Sequence, residues 1–326
     1  MLFDTHSRVV FLGDSITANG RFIANIFDYY KENLPERQVK LYNYGVPGDS
    51  AAGCLRMERH RLLLDLFKPT EIVLMFGMND IGRSYYADEV RDTVAAQVSA
   101  RKCKLRHTDS MLTIARFFAE KGLPVTLCSV TPHDEITPLE SPMLVGCHGA
   151  LRDIYARDLL ALAPYIKDTV DFGGPMNDLL SGLRETGGNS FIGPDRVHPT
   201  DMGHDVMARI FLCHQGADVA MPTAETITDG TAAMKPYSPE NAARKEAEAA
   251  YRGLSYIDFN AQWGQEKMTL DEKIAYWQNR LATDFSGELN SHDLYVKGRA
   301  AYYVENKRNE ESLYLNLLAR TDEMYS

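Results

Sequence analysis

The sequence has no long run of apolar residues. No apolar stretch in its 326 residues approaches the ~20 residues that a helix needs to cross a bilayer. The first eight residues lack a basic stretch followed by a long apolar one, and they lead almost directly into a predicted strand. We therefore expect no membrane insertion and a cytoplasmic protein by default. The alternative is an exported protein whose leader is absent from this chain.

Cysteine is scarce, and its spacing is irregular. The five cysteines stand at positions 54, 103, 128, 147 and 213. An odd number without paired spacing argues against a disulfide framework and against a zinc site. The run His133-Asp134-Glu135 suggests a metal site, but no second His or Cys stands nearby at ligand spacing, so solvated charges are the favoured interpretation. We expect neither a metal nor an organic cofactor.

Positive charge is in the minority. The chain has 35 Lys and Arg against 45 Asp and Glu, a net charge of −10. Such a chain gains nothing from counterion release on nucleic acid, and anionic membrane surfaces repel it. With 44% hydrophobic and 25% charged residues, the composition is that of a soluble globular protein. Nucleic acid is therefore not an expected binding partner.

Short apolar runs alternate with segments of helical spacing. The strand-like runs are Arg8 to Leu12, Val39 to Tyr44, Glu71 to Phe76, Pro124 to Val130 and Thr169 to Phe172. This alternation predicts βαβ units, a mostly parallel five-stranded sheet and helices on both faces, which is a three-layer α/β/α architecture. Thr131 to Cys147 has three prolines and little periodicity, which indicates a long loop of the kind that is uncommon unless functional.

The composition changes after Gly216. We predict one domain over residues 1–216 and a mainly helical C-terminal extension over residues 217–326, joined by a linker from Met221 to Tyr237. The helical patterns of the extension have thin apolar faces, so we expect them to pack on the first domain or on another subunit, which allows a homo-oligomer. At least one of Trp263 and Trp277 is predicted to be buried in that contact.

Four motifs follow strand-like runs or precede a helical pattern. They are Gly13-Asp14-Ser15, Asn43 to Ser50 around Gly48, Gly77-Met78-Asn79-Asp80, and Asp195-Arg196-Val197-His198. In this order they resemble the motifs of the SGNH hydrolases, the GDSL-type esterases and lipases. The resemblance covers about the first two-thirds of the chain. It implies the flavodoxin-like SGNH hydrolase fold and a serine esterase that works through an acyl-enzyme.

The resemblance gives each motif a chemical role. Ser15 is the expected nucleophile, because a serine hydroxyl next to a base becomes reactive. His198 is then the base, and Asp195 fixes its tautomer. The backbone N–H groups of Ser15 and Gly48 and the side chain of Asn79 are the expected oxyanion donors. Without the family resemblance, His198 and Asn79 would be interpreted as helix caps, and Asp195 and Gly48 would be interpreted as turn residues.

Several other residues invite functional interpretations. We expect Asp14 and Asp80 to brace the loops by accepting backbone N–H bonds, and Tyr85 and Tyr86 are candidates for lining the substrate pocket.

The substrates implied by the resemblance are acetylated sugars, short-chain esters, lysophospholipids and thioesters, and the acidic composition favours small or carbohydrate esters. Acyl transfer to a sugar hydroxyl and a non-catalytic binding module are the alternatives.

Overall fold

The computed structural model describes residues 2–232, in which strands and helices alternate. The strands are β1 (Arg8–Gly13), β2 (Lys40–Gly45), β3 (Glu71–Met75), β4 (Val125–Cys128) and β5 (Asp168–Val170). The helices are α1 (Ser15–Asn19), α2 (Arg21–Asn33), α3 (Ala51–Arg56), α4 (Arg59–Phe67), α5 (Val94–Glu120), α6 (Cys147–Ala161), α7 (Gly173–Thr186), α8 (Asp201–His214) and α9 (Ala224–Thr228). The predicted α/β alternation is thereby confirmed.

The strands form one parallel sheet in the order β2-β1-β3-β4-β5. This order is that of flavodoxin-like doubly wound folds, whose ligands bind outside the carboxyl ends of the strands where the order reverses. β1 lies at that point, between β2 and β3, with Gly13 level with Gly45 on one side and Met75 on the other. The loops after these three strands therefore emerge side by side.

The sheet is buried on both faces. Val9 and Phe11 of β1 face one apolar cluster, and Val10 and Leu12 face a second. Helices α2 and α8, which pack on each other, contribute to the first cluster, and α3, α4 and α5 contribute to the second. Strands covered on both sides are near-continuously apolar, which is the pattern of this sequence. The three-layer prediction is confirmed.

Three helical segments have features that the sequence pattern does not show. The helical pattern over residues 55–67 is divided between α3 and α4 at Glu58, which has a left-handed φ of 52°. Residues 173–186, which include three glycines and a proline, form α7. The predicted linker after Met221 contains α9, which begins with a capping box between Thr223 and Thr226. Residues 131–146 have neither helix nor strand, as predicted.

Residues just after Met221 pack on α7. Ala224 is 8% exposed, and a Cβ added at Gly182 of α7 would lie 2.9 Å from the Ala224 Cβ. The Thr228 hydroxyl lies 2.7 Å from that of Thr186. The predicted helices beyond this point, with Trp263 and Trp277, lie outside the described residues. The domain division at residue 216 stays a prediction.

The end of β2 fits closely against α1, the helix that begins with Ser15. A Cβ at Gly45 would lie 2.2 Å from the Ala18 backbone nitrogen. We expect Gly45→Ala to lower the free energy of unfolding by about 2–3 kcal/mol, because backbone atoms must move apart. Urea unfolding measures this. Gly149→Ala is the control, because its new Cβ in α6 would meet no other part of the protein within 4 Å. It should stabilise by about 0.5–1 kcal/mol, and equal effects of the two substitutions would contradict the prediction.

Candidate active site

Ser15 lies where β1 turns into α1. It is the first residue of the helix, and Asp14 is the N-cap, whose Oδ1 accepts a hydrogen bond from the Ile16 N–H at 3.0 Å. The first backbone N–H groups of a helix have no acceptor within it. The Ser15 N–H therefore stands at a helix start beside its own hydroxyl. The side chain is partly exposed, while both neighbours are buried.

Asp14 is completely buried below Ser15. Burial raises the pKa of its carboxyl to about 7, and the carboxylates of Asp80 and Asp49 contribute to the increase. The Ile16 N–H opposes it, because a hydrogen bond to a carboxylate favours the charged form. The expected role of Asp14 as an N–H acceptor that braces the loop is present in the structure.

Asp195 and His198 share a tight turn before α8. An isolated bridge pairs Ile192 with Pro199 and closes the turn, and Gly193 N–H donates to the His198 carbonyl at 2.7 Å. Asp195 Oδ1 accepts the N–H groups of Val197 and His198, both at 3.0 Å. Asp195 Oδ2 is thereby directed to the Nδ1 atom of the His198 ring, with which it forms a short hydrogen bond.

The turn brings His198 to Ser15. The Ser15 Oγ lies 2.8 Å from His198 Nε2, although the residues are 183 positions apart. Partial burial would raise the pKa of Asp195, but the His198 ring and the two backbone N–H groups lower it. Asp195 therefore stays ionised beside the ring. The side chains of His198 and Asp195 are 47% and 50% exposed, so the serine–histidine pair is open to a substrate from solvent.

Gly48 and Asn79 follow the two strands beside β1. Gly48 has a left-handed φ of 73°, a conformation that glycine adopts without strain. The Asn79 Nδ2 donates to the Asp49 carbonyl oxygen at 2.9 Å, and the Ala51 N–H donates to Asp80 Oδ1 at 2.9 Å. These two hydrogen bonds join the loop after β2 to the loop after β3. Asp80 braces a loop, as expected.

Arg196 ties the Asp195–His198 turn to the long loop after β4. Its buried guanidinium donates to four carbonyl oxygens of that loop at 2.9–3.0 Å, and its own carbonyl accepts the Asp134 N–H at 2.9 Å. The acceptors are Asp134, Thr137, Leu139 and Ser141. Sequence reasoning did not identify this role, and the left-handed φ of 64° at Arg196 has no sequence signal in a non-glycine residue.

The His133-Asp134-Glu135 run is not a group of solvated charges, and that interpretation was wrong. His133 and Asp134 are buried. Asp134 accepts the N–H groups of Ile136 and Thr137, and Glu135 accepts those of Gly146 and His148 at the start of α6. These residues fold the loop back on itself. Within residues 2–232, no group of His, Cys, Asp and Glu is arranged to hold a metal ion.

Two further histidines and two tyrosines lie outside the Ser15–His198–Asp195 group. His204 is buried and stacks on Phe22 with ring centroids 6.1 Å apart, and burial lowers its pKa to about 3. His148 is partly buried. Tyr86 packs against the first apolar cluster, whereas Tyr85 is 36% exposed. The pocket-lining role of the two tyrosines stays a prediction.

Comparison with known proteins identifies the family. Residues 9–211 match the GDSL-like lipase/acylhydrolase family, so this chain belongs to that family and is a carboxylic ester hydrolase of the SGNH type. The match spans β1 to α8 and includes all four motifs. In the described part of the chain, no helix is sufficiently long and apolar to span a bilayer.

Individual relatives agree with this assignment. The chain is 23% identical over 238 residues to an acetylxylan esterase from Geobacillus stearothermophilus, covering 65% of this chain and 95% of the relative. A solved acetyl xylan esterase variant from that organism covers 68% of this chain and its own full length, with a TM-score of 0.50 and 19% identity. A gut microbial diltiazem-metabolizing enzyme has a TM-score of 0.58 and 26% identity to this chain. That match covers 66% of this chain but only 48% of the enzyme.

Proposed function

We propose that Ser15, His198 and Asp195 form the catalytic triad of this esterase. The Ser15 N–H, the Gly48 N–H and the Asn79 side chain bind the oxyanion. The observation that supports the triad best is the continuous series of contacts from Ser15 Oγ to His198 Nε2 at 2.8 Å, and from His198 Nδ1 to Asp195 Oδ2. Such a series is what a serine needs to lose its proton as it attacks.

Each atom has a defined part in the proposed reaction. Ser15 Oγ attacks the ester carbonyl carbon while His198 Nε2 takes its proton, and negative charge develops on the carbonyl oxygen near the three donors. The carbon–oxygen bond to the alcohol breaks, and His198 returns the proton to the departing alcohol. Water then attacks the Ser15 acyl ester with His198 as base, which releases the carboxylic acid and restores the serine.

We further propose that the substrates are short-chain esters, with acetylated carbohydrates foremost. The named activity of the acetylxylan esterase relative, which this chain covers over 95% of its length, supports this class. The exposure of His198 and Asp195 agrees with a bulky alcohol portion that remains partly in solvent. The net charge of −10 disfavours binding to anionic lipid surfaces.

A graded ester panel tests the substrate class. We expect kcat/KM for p-nitrophenyl acetate to exceed that for the octanoate ester by at least about tenfold. In a pocket for a short acyl chain, each additional methylene group that does not fit weakens transition-state binding. Acetylated xylo-oligosaccharides should release acetate, measured enzymatically. Diltiazem, the compound named for one relative, is a further test substrate.

The same assays distinguish the alternatives. A preference for long acyl chains or lysophospholipids would contradict the carbohydrate proposal while leaving the esterase intact. Addition of unacetylated xylo-oligosaccharide, followed by mass spectrometry, tests for acyl transfer: an acetylated acceptor formed faster than free acetate would identify a transferase. Ser15→Ala, assayed in parallel, controls for spontaneous hydrolysis.

A further inference from the structure

A buried ionic network lies behind the two loops that present Gly48 and Asn79. His107 of α5 stands between two carboxylates: its Nε2 lies 2.8 Å from Asp158 Oδ2, and its Nδ1 lies 3.2 Å from Asp80 Oδ1. The side chains of all three residues are at most 3% exposed. Thr108 also donates to Asp158 Oδ1, at 2.9 Å. The network joins α5 and α6 to the residue that follows Asn79.

His107 carries a positive charge in this setting. Burial alone would lower its pKa, but the carboxylates of Asp80 and Asp158 raise it to about 10. The ring is therefore an imidazolium at neutral pH, hydrogen-bonded through Nε2 to Asp158 and in ion-pair contact through Nδ1 with Asp80. Its charge compensates buried negative charge in a region that also contains Asp14, whose own pKa is raised by burial and, to a smaller extent, by Asp80.

Asp80 transmits this arrangement to both loops. The oxygen that faces His107, Oδ1, also accepts the N–H of Ala51, three residues after Gly48. Asn79 is the neighbour of Asp80 in the chain, and its side chain donates to the carbonyl of Asp49. A displacement of the Asp80 carboxylate would therefore move both loops. Neither helix that contributes to the network carries a residue of the proposed triad.

We propose that His107 and Asp158 are positioning residues that hold the oxyanion donors in place by fixing the carboxylate of Asp80. This inference rests on the proposed roles of Gly48 and Asn79. A buried ion pair is a costly way to stabilise a core, since apolar residues of similar volume often do so as well or better. The contact of this network with the two loops accounts for its presence, whereas core packing alone does not.

Two variants remove the charge with little change of shape. His107→Gln removes the positive charge at Asp80, and Asp158→Asn removes the partner that supports the imidazolium. We expect each to lower kcat for p-nitrophenyl acetate by about 10-fold to 50-fold with KM changed less than about twofold, because the oxyanion forms only in the transition state. Stopped-assay kinetics over several substrate concentrations separate kcat from KM.

A double-mutant cycle tests the route of the effect. In an Asn79→Ala background, the loss of kcat caused by His107→Gln should shrink to about threefold or less, because one of the two donors that His107 positions is already absent. An undiminished loss in that background would overturn the proposal. So would a rise of KM at constant kcat. If Asn79→Ala itself leaves kcat unchanged, the oxyanion assignment is wrong, which is a different failure.

Stability needs its own control. Tyr30→Phe removes a buried hydroxyl that accepts the Phe3 N–H at 2.7 Å and donates to Gln215 at 3.0 Å. None of these three residues belongs to the proposed site. It should lower the melting temperature without lowering kcat. If His107→Gln does not fold, Thr108→Val replaces it, because this variant removes only the hydrogen bond to Asp158. The expected loss of kcat is then smaller, about threefold. An unchanged kcat in Thr108→Val would overturn the proposal.

Discussion

Ser15→Ala is expected to lower kcat by on the order of 10⁵-fold or more, with the fold intact. The hydroxyl that bonds to His198 is the only group that the proposed mechanism uses to form the acyl-enzyme, and alanine leaves no atom to acylate. Ser15 is partly exposed, so the loss of one hydroxyl has little effect on packing. Burst kinetics with p-nitrophenyl acetate measure acylation directly, and the burst should disappear.

The triad also predicts how the losses combine. His198→Ala should be about as damaging as Ser15→Ala, and the double variant should be no worse than either, because the two residues act as a unit. Asp195→Asn should cost on the order of 10⁴-fold, since it leaves the ring in place but with the wrong tautomer. Losses that multiply would show that the residues act independently.

A matched histidine is present elsewhere in the chain. His214 Nε2 lies 2.8 Å from Asp168 Oδ1, a histidine–aspartate pair at the amino end of β5, away from Ser15. His214→Ala should leave kcat unchanged, as should Ser181→Ala in α7. A comparable loss in His214→Ala would mean that removal of any such pair disturbs the protein, and the triad assignment would lose its support.

Much of the candidate site was predictable because its motifs are local in sequence. A strand end followed by Gly-Asp-Ser gives the position of Ser15, and Asp195 and His198 lie within one turn. The parallel arrangement follows from strand–helix alternation, and it brings the carboxyl ends of neighbouring strands to one edge. The 2.8 Å contact between Ser15 and His198 joins two motifs that were identified together, because four short motifs in order resemble those of the SGNH hydrolases.

The residues that support the site were not predictable, because their partners are distant in sequence. His107 is 27 positions from Asp80 and 51 from Asp158, and it lies within a long helix with no motif around it. Arg196 was inside a recognised motif, but its four carbonyl partners depend on the path of a loop without secondary structure. Buried polar residues of this kind become interpretable only once their contacts are known.

Asn79→Ala is expected to lower kcat by on the order of 10²- to 10³-fold, with a much smaller change in KM. The Asn79 amide has two N–H groups. One donates to the Asp49 carbonyl, which leaves the second for the developing oxyanion. Because that interaction strengthens as charge accumulates, its loss acts on the transition state rather than on the bound ester. Steady-state kinetics with p-nitrophenyl acetate measure both parameters.

A second substitution separates the lost donor from the lost loop contact. Asn79→Asp is nearly isosteric but removes both N–H groups and adds a negative charge where the oxyanion forms, so its loss of kcat should equal or exceed that of Asn79→Ala. If the amide served only to hold Asp49, the two variants would lose the same stability and little activity. Asn177→Ala in α7 is the control for removal of a partly buried asparagine. Full activity in Asn79→Asp, with an unchanged melting temperature, would remove Asn79 from the oxyanion site.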